Sequence, residues 1–405
     1  MTASNGIATE SVPYTASREA AAATPVATRS RIEVIDVMRG LVMVIMVFDH
    51  VRERFYLRVP VSDPMDVATT EPMVFFTRIA AHFCAPMFVF LTGLGAWLYA
   101  NPANGAPRSA TGFLVKRGLL LVVLEVTVIL LTWVERFPPH TIWLQVIWVI
   151  GICMIILGLT HQLPRWILAV IGFALVFGHN LLTSINFQPG ESGYWIWTIL
   201  HDRGYLIADG PTKLKVSYPL LPWIGVIYLG WLAGPIFSKA MDPARRARLW
   251  TQLGLGCLAL LLLLRGFNIY GETLPWTQQQ DFLHTVMSFV NFTKYPPSLD
   301  FLLLTLGVGF LLFPRFEAMS NAFTRVLAVI GGAPMFFYIF HLYVLLAMQM
   351  AMLVLVGPNY GQRWELDQYW PVWVISIALI PVMYYPTRAF ARYKRTTDKA
   401  WVKYF

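Results

Sequence analysis

Two ionisable residues stand side by side near the end of an apolar run, in the stretch MVFDHVRER from Met46 to Arg54. Asp49 is a carboxylate able to hold a cation or orient a hydroxyl. His50 is the side-chain type best suited to general acid–base work near neutral pH. A second pair follows in MVFFTRIAAHFCAPMF, where Arg78 and His82 are four residues apart. That spacing stacks them on one helical face. A neutral histidine held there would serve as a general base or as an acyl acceptor. Asp36 and Arg39 are three apart and can pair. His341, in APMFFYIFHLYVLL, shares a face with Tyr338 and can face His82 or line an acyl path. Lys294 and Tyr295 open KYPPSLD, where Pro296 and Pro297 suit a first helical turn and Lys294 beside the positive helix end favours an anion.

These groups must be positioned by helices in a membrane. Of 405 residues, 57% are hydrophobic and only 13% charged. A soluble domain would carry about a quarter charged residues. The composition therefore makes this an integral membrane protein. The net charge of +9 fits basic cytoplasmic loops and calls for no nucleic acid. Cys84, Cys153 and Cys257 lie far apart in apolar runs, with no CxxC metal motif. Apolar runs predict ten helices at 34–53, 73–100, 112–134, 141–160, 164–182, 218–237, 250–268, 299–314, 326–356 and 371–387. The ninth is overlong and is expected to break at Gly331-Gly332-Ala333-Pro334. The expected fold is an all-α polytopic bundle of 10 or 11 transmembrane helices. The Lys/Arg bias favours both termini inside the cell, in a multi-pass protein of the inner membrane. Residues 1–30 read as a disordered cytoplasmic tail, 31–390 as the membrane domain and 391–405 as a basic cytoplasmic tail.

Within that frame the candidates fall into a pattern. An ionisable group in a span costs about 2.5–3.5 kcal/mol on insertion scales, so it normally faces the bundle interior or a wet cavity. Asp36, Arg39, Met43, Met46 and His50 share a face of the first helix, with His50 about 21 Å beyond Asp36. Asp49 points about 100° away, so it and His50 read as two groups at the outer mouth of a cavity rather than one dyad. Pro86 is expected to kink the second helix one turn beyond His82. Gly225, Gly230 and Gly234 suit close helix packing. Loop 54–72 brings Asp63, Asp66 and Glu71 to the outer side. Aromatic and charged residues mixed in loops 183–217 and 269–298 suit a carbohydrate-like ligand. The catalytic candidates are His82, His50 and Asp49. The binding candidates are Asp36, Arg39, Asp66, Arg78, Lys294, Tyr295 and His341.

Five segments, RIEVIDVMRGLVMVIMVFDHVR, TRIAAHFCAPMFVFLTG, YPLLPWIGVIYLGWLAG, TKYPPSLDFLLLTLG and GAPMFFYIFHLY, occur in this order. Together they resemble the bacterial membrane proteins related to heparan-alpha-glucosaminide N-acetyltransferase, over residues 31–390. The resemblance implies a bundle of ten or eleven helices. It implies acetyl-CoA or another acyl-CoA arriving from the cytoplasm, and a sugar hydroxyl or amine as acceptor on the far side. Asp36 and Arg39 match the family's first-span Asp and Arg, and Pro86, Phe88 and Gly93 its second-span pattern. The lysosomal enzyme has an asparagine where His50 stands, and its proposed catalytic histidine lies in a loop that here has none. His50 or His82 would take that role.

The leading expectation is thus a membrane acyltransferase. Lys116, Arg117 or Arg325 would meet the phosphates of acyl-CoA. A neutral histidine would deprotonate a carbohydrate or lipid-linked acceptor, by direct or ping-pong transfer. A homodimer is compatible with this reading. A proton-coupled transporter or flippase is the alternative, because intramembrane Asp, Arg and His also serve proton relays. A haem cytochrome using His82 and His341 is a third. No span carries two histidines at a ligand-like spacing, so neither haem nor metal is expected.

Overall fold

The computed structural model describes residues 1–2, 31–134 and 137–405. The expected tail at 1–30 falls, beyond its first two residues, outside the described residues. The chain runs through α1 (Arg31–Phe55), α2 (Pro72–His82), α3 (Cys84–Ala100) and α4 (Thr111–Leu124). One π-helical turn, Glu125–Ile129, joins α4 to α5 (Leu130–Trp133). Then come β1 (Thr141–Leu144), α6 (Val146–Thr160), α7 (Arg165–Gly178), α8 (Tyr194–Leu200), β2 (Gly204–Ile207) and β3 (Lys213–Val216). The second half is helical: α9 (Leu221–Ala233), α10 (Pro243–Gly266), α11 (Phe282–Val290), α12 (Leu299–Ala318), α13 (Ala322–Gly331), α14 (Pro334–Leu355) and α15 (Trp370–Thr396).

Six helical segments among the described residues are long and apolar enough to cross a membrane: Pro72–Ala100, Arg165–Leu182, Pro243–Gly266, Leu299–Ala318, Pro334–Leu355 and Trp370–Thr396. Val146–Thr160, Leu221–Phe237 and Ala322–Gly331 are apolar but shorter. α1 has the length, but it carries charge near both ends, from Glu33, Asp36 and Arg39 to Asp49, Arg52 and Arg54.

Two local expectations change. The fold is not purely helical. β3 pairs in parallel with β1 and antiparallel with β2, giving a three-stranded sheet in the order β1-β3-β2. The run expected to be helical from residue 141 therefore begins as the strand TIWL, whose β-branched and aromatic residues suit a sheet. The second span is disturbed where Pro86 predicts it: α2 ends at His82 and α3 restarts at Cys84, with Phe83 between them still in helical conformation, because Pro86 donates no N–H and its ring crowds the carbonyl four residues back, that of His82. Pro296 and Pro297 precede α12 instead of opening it; Ser298 is the cap, its hydroxyl accepting from Phe301 N at 3.1 Å. The break between α13 and α14 falls where Gly332, Ala333 and Pro334 predict it.

Close backbone approach holds the bundle together. α1 lies against α13, α3 against α9, and α7 against α9. A Cβ on Gly331 would strike the carbonyl of Asp36, and one on Gly230 the carbonyl of Phe90. A Cβ on Gly225 would come within 2.9 Å of the Gly172 carbonyl. Small residues let apolar helices reach van der Waals contact where no hydrophobic force separates protein from lipid. At the far end of the chain, residues after α15 fold back. Tyr404 stacks on Phe113 at 5.9 Å, Phe113 on Tyr99 at 4.2 Å, and Lys394 Nζ donates to the Phe405 main-chain oxygen at 2.8 Å.

Candidate active site

A cavity of about 320 Å³ runs along α1, walled by α3, α4, α6, α14 and α15. Arg39, Arg117 and Lys394 line one end, and Asp49, His50 and Lys294 the other. Between them the wall is mostly apolar, with Met43, Met46, Phe88, Met154 and Met335. Arg39 and His50 are eleven positions apart on one helix, which separates the two ends by about 16 Å.

At the first end the Asp36 carboxylate accepts from Arg39 Nη1 at 3.1 Å, as their spacing predicts. Arg117 Nε is buried without a hydrogen-bond partner. Of the cations proposed for phosphates, Arg117 reaches the cavity, whereas Lys116 and Arg325 are exposed and do not line it.

At the second end the pairing is long-range. His50 Nδ1 lies 2.6 Å from His341 Nε2, and the ring planes are 3° apart with centroids at 4.9 Å. The difference between those two distances is about one ring width, so the imidazoles lie edge to edge in a single plane, the best geometry for a hydrogen bond between them. His341 Nδ1 lies 3.0 Å from the Phe337 carbonyl. A carbonyl only accepts, so His341 Nδ1 carries the hydrogen and its Nε2 has the lone pair. His50 Nδ1 must then donate to it, which leaves His50 Nε2 as a free base. Trp133 and Tyr338 hold the His50 ring edge-on, at 5.6 and 5.9 Å.

Asp49 lines the same cavity but has separate partners. Its Oδ1 accepts from Arg52 Nε at 3.1 Å and lies 3.7 Å from Arg78 Nη1. Arg52 also donates to Glu53 at 3.2 Å. Buried charges survive only in such compensated groups. Lys294 and Tyr295 arrive from the loop before α12. Asp63 holds that loop, accepting from Lys294 N at 3.1 and 3.2 Å and from Tyr295 N at 3.0 Å. Burial pushes the Asp63 carboxyl up from its ordinary pKa, against the pull of Arg78 and Lys294. Tyr295 donates to the Tyr218 hydroxyl at 3.2 Å, and Tyr218 lines the cavity.

The other candidates lie apart. His82 is 2% exposed, its ring 5.1 Å from Phe301 and its Nε2 without a partner. Its neighbours Ala81 and Cys84 line the cavity and it does not; its ring packs toward Phe301 of α12 instead. His341 faces His50, not His82. Asp66 is exposed and engaged in its own turn, accepting from Ala68 N at 3.0 Å and Thr69 Oγ1 at 2.8 Å. Asp63, not Asp66, is the loop carboxylate that reaches the site. Sequence reasoning missed Tyr218 and Trp133 as well; the one available signal was their aromatic character next to span ends. Among the described residues no group of three His, Cys, Asp or Glu is placed to hold a metal ion.

Helices of spanning length around a cavity with charged groups at both ends define a multi-pass membrane protein with an internal site. The family model described as heparan-alpha-glucosaminide N-acetyltransferase, catalytic, matches residues 31–265, more than half of the chain. The protein belongs to that family of membrane acetyltransferases. No curated protein matches the chain. Lys294 and His341 lie beyond the matched residues; Lys294 lines the same cavity and His341 reaches it only through its contact with His50.

Proposed function

We propose that the protein is an acyl-CoA-dependent membrane acyltransferase. It takes an acetyl or other acyl group at the Arg39 end of the cavity and gives it to a sugar-like or lipid-linked acceptor at the His50 end. The Arg39 end is the cytoplasmic one, in a ten-span, N-in arrangement of the inner membrane favoured by the Lys/Arg bias. One observation carries the reading: a single cavity joins three cations to a histidine whose free nitrogen is left basic.

Arg39, Arg117 and Lys394 meet the donor's phosphates, and the apolar middle takes its uncharged arm. The thioester then sits beside His50. His50 Nε2 removes the proton from the acceptor hydroxyl or amine as that group attacks the thioester carbonyl. The imidazolium then returns the proton to the departing CoA thiolate. His341 positions His50 and delocalises the charge that forms, because its own lone pair accepts the Nδ1 hydrogen. Asp49 stays paired with its arginines and shapes the field around the base.

The test is turnover of labelled acetyl-CoA by purified protein in nanodiscs. His50→Ala and His341→Ala are both expected to lose transfer. If both turn over at the wild-type rate, the reading is wrong. If the protein instead moves protons and a polar solute into liposomes without any acyl donor, the transporter reading replaces it.

A further inference from the structure

Lys294 is 5% exposed and lines the cavity beside Asp49 and His50. A buried lysine normally has a carboxylate partner. Here the nearby carboxylates are already engaged. Asp49 is held by Arg52 and Arg78, and Glu53 by Arg52. Asp63 accepts from the main chain of Lys294 and Tyr295 instead of from the ammonium. Among the described residues no carboxylate lies within 4.0 Å of Lys294 Nζ; its recorded contact is the face of Tyr295, 5.3 Å from the ring centroid.

The side chain is nevertheless held in place. Asp63 anchors its backbone, a bridge ties Lys294 to Pro297, and the Ser298 cap starts a rigid helix four residues on. A fixed ammonium with no ion-pair partner within 4.0 Å therefore lines the cavity with His50, its charge offset only at longer range by Asp49 and Glu53. Donor phosphates do not need it, since Arg39, Arg117 and Lys394 stand at the other end of the cavity. What is missing at Lys294 is an anion that exists only during the reaction.

We propose that Lys294 is a catalytic residue that stabilises the oxyanion of acyl transfer. The inference rests on the transferase reading above. As the acceptor oxygen or nitrogen bonds to the thioester carbon, the carbonyl π electrons move onto its oxygen, and the Lys294 ammonium donates a hydrogen bond to that oxyanion. The oxyanion re-forms the carbonyl, the C–S bond breaks, and CoA leaves as thiolate to be protonated by the His50 imidazolium. The ammonium keeps its proton throughout. Such donors act only where charge develops, so they change kcat rather than binding.

The experiment uses the full chain in nanodiscs, with wild type, Lys294→Arg and Lys294→Met. Lys294→Met is expected to lose kcat on the order of 10²–10³-fold with little change in donor KM. Lys294→Arg, which keeps the charge, is expected to recover part of it. A second reading needs no turnover: a non-hydrolysable ketone analogue of acetyl-CoA, ¹³C-labelled at the carbonyl, is bound and its infrared stretch recorded. The band should lie lower in wild type and Lys294→Arg than in Lys294→Met. A Lys294→Met kcat within about threefold of wild type overturns the proposal, as does a carbonyl band identical in wild type and Lys294→Met. A wild type that transfers no acyl group brings down the transferase reading itself, a result separate from a normal wild type with an active Lys294→Met.

Discussion

At the Arg39 end of the cavity three cations line the wall and the nearest paired carboxylate, Asp36, belongs to Arg39; at the His50 end Arg52, Arg78 and Lys294 are set among Asp49, Glu53 and Asp63. The first arrangement has surplus positive charge and borders helix ends, which suits holding a polyanion. The second is balanced, buried and tied by hydrogen bonds of 2.6–3.2 Å, which suits keeping groups still. Under the proposed function, the contrast separates specificity from chemistry. Affinity for the donor is expected from the unbalanced end, and rate from the balanced one.

That division can be broken by mutation. The largest effect is expected at His50: His50→Ala should lower kcat on the order of 10²–10⁴-fold with donor KM nearly constant. His341→Gln keeps an acceptor for the His50 hydrogen and should lose less than His341→Ala; equal losses would remove the relay from the mechanism. Next come the cations of the other end. Arg39→Gln, Arg117→Gln and Lys394→Gln should each raise donor KM roughly tenfold at constant kcat, more at low salt than at high. A fall in kcat without a change in KM would erase the distinction between the ends.

Packing gives a smaller, separate effect. Gly331→Val drives a side chain into the Asp36 carbonyl and should destabilise the α1–α13 contact by about 1–3 kcal/mol, read as a lower thermal midpoint in detergent. Gly178→Ala, with open space around it, should leave the midpoint unchanged. The smallest effect is expected at Asp66. Asp66→Asn touches only its own turn and should hold turnover within about twofold of wild type, because exposed sites tolerate change.

Local chemistry was readable in the chain and long-range chemistry was not. Asp36 and Arg39 are three residues apart, and helix geometry alone pairs them. The glycines facing neighbouring backbones and the break at Pro334 follow from small or imino residues inside apolar runs. The His50–His341 pair joins residues 291 apart in sequence. It depends on how α14 packs on α1, which no spacing records. His82 stands out in sequence because it sits near Arg78 in an apolar helix, but its ring packs on Phe301, a contact that no spacing records. Lys294 announced an anion site; that Asp63 would carry it inward depends on a contact across 231 positions. The strand at 141–144 was hidden because TIWL reads equally well as the start of a span.

The fold-back after α15 has a practical consequence. Phe405 rests against Lys394, and Tyr404 against Phe113, both at the rim of the Arg39 end of the cavity. A bulky group attached at Phe405 would start at that rim and crowd the Arg39 end of the cavity. The exposed tip around Gly210, where an added atom meets nothing within 4 Å, is the better place for an epitope or a fluorescent label.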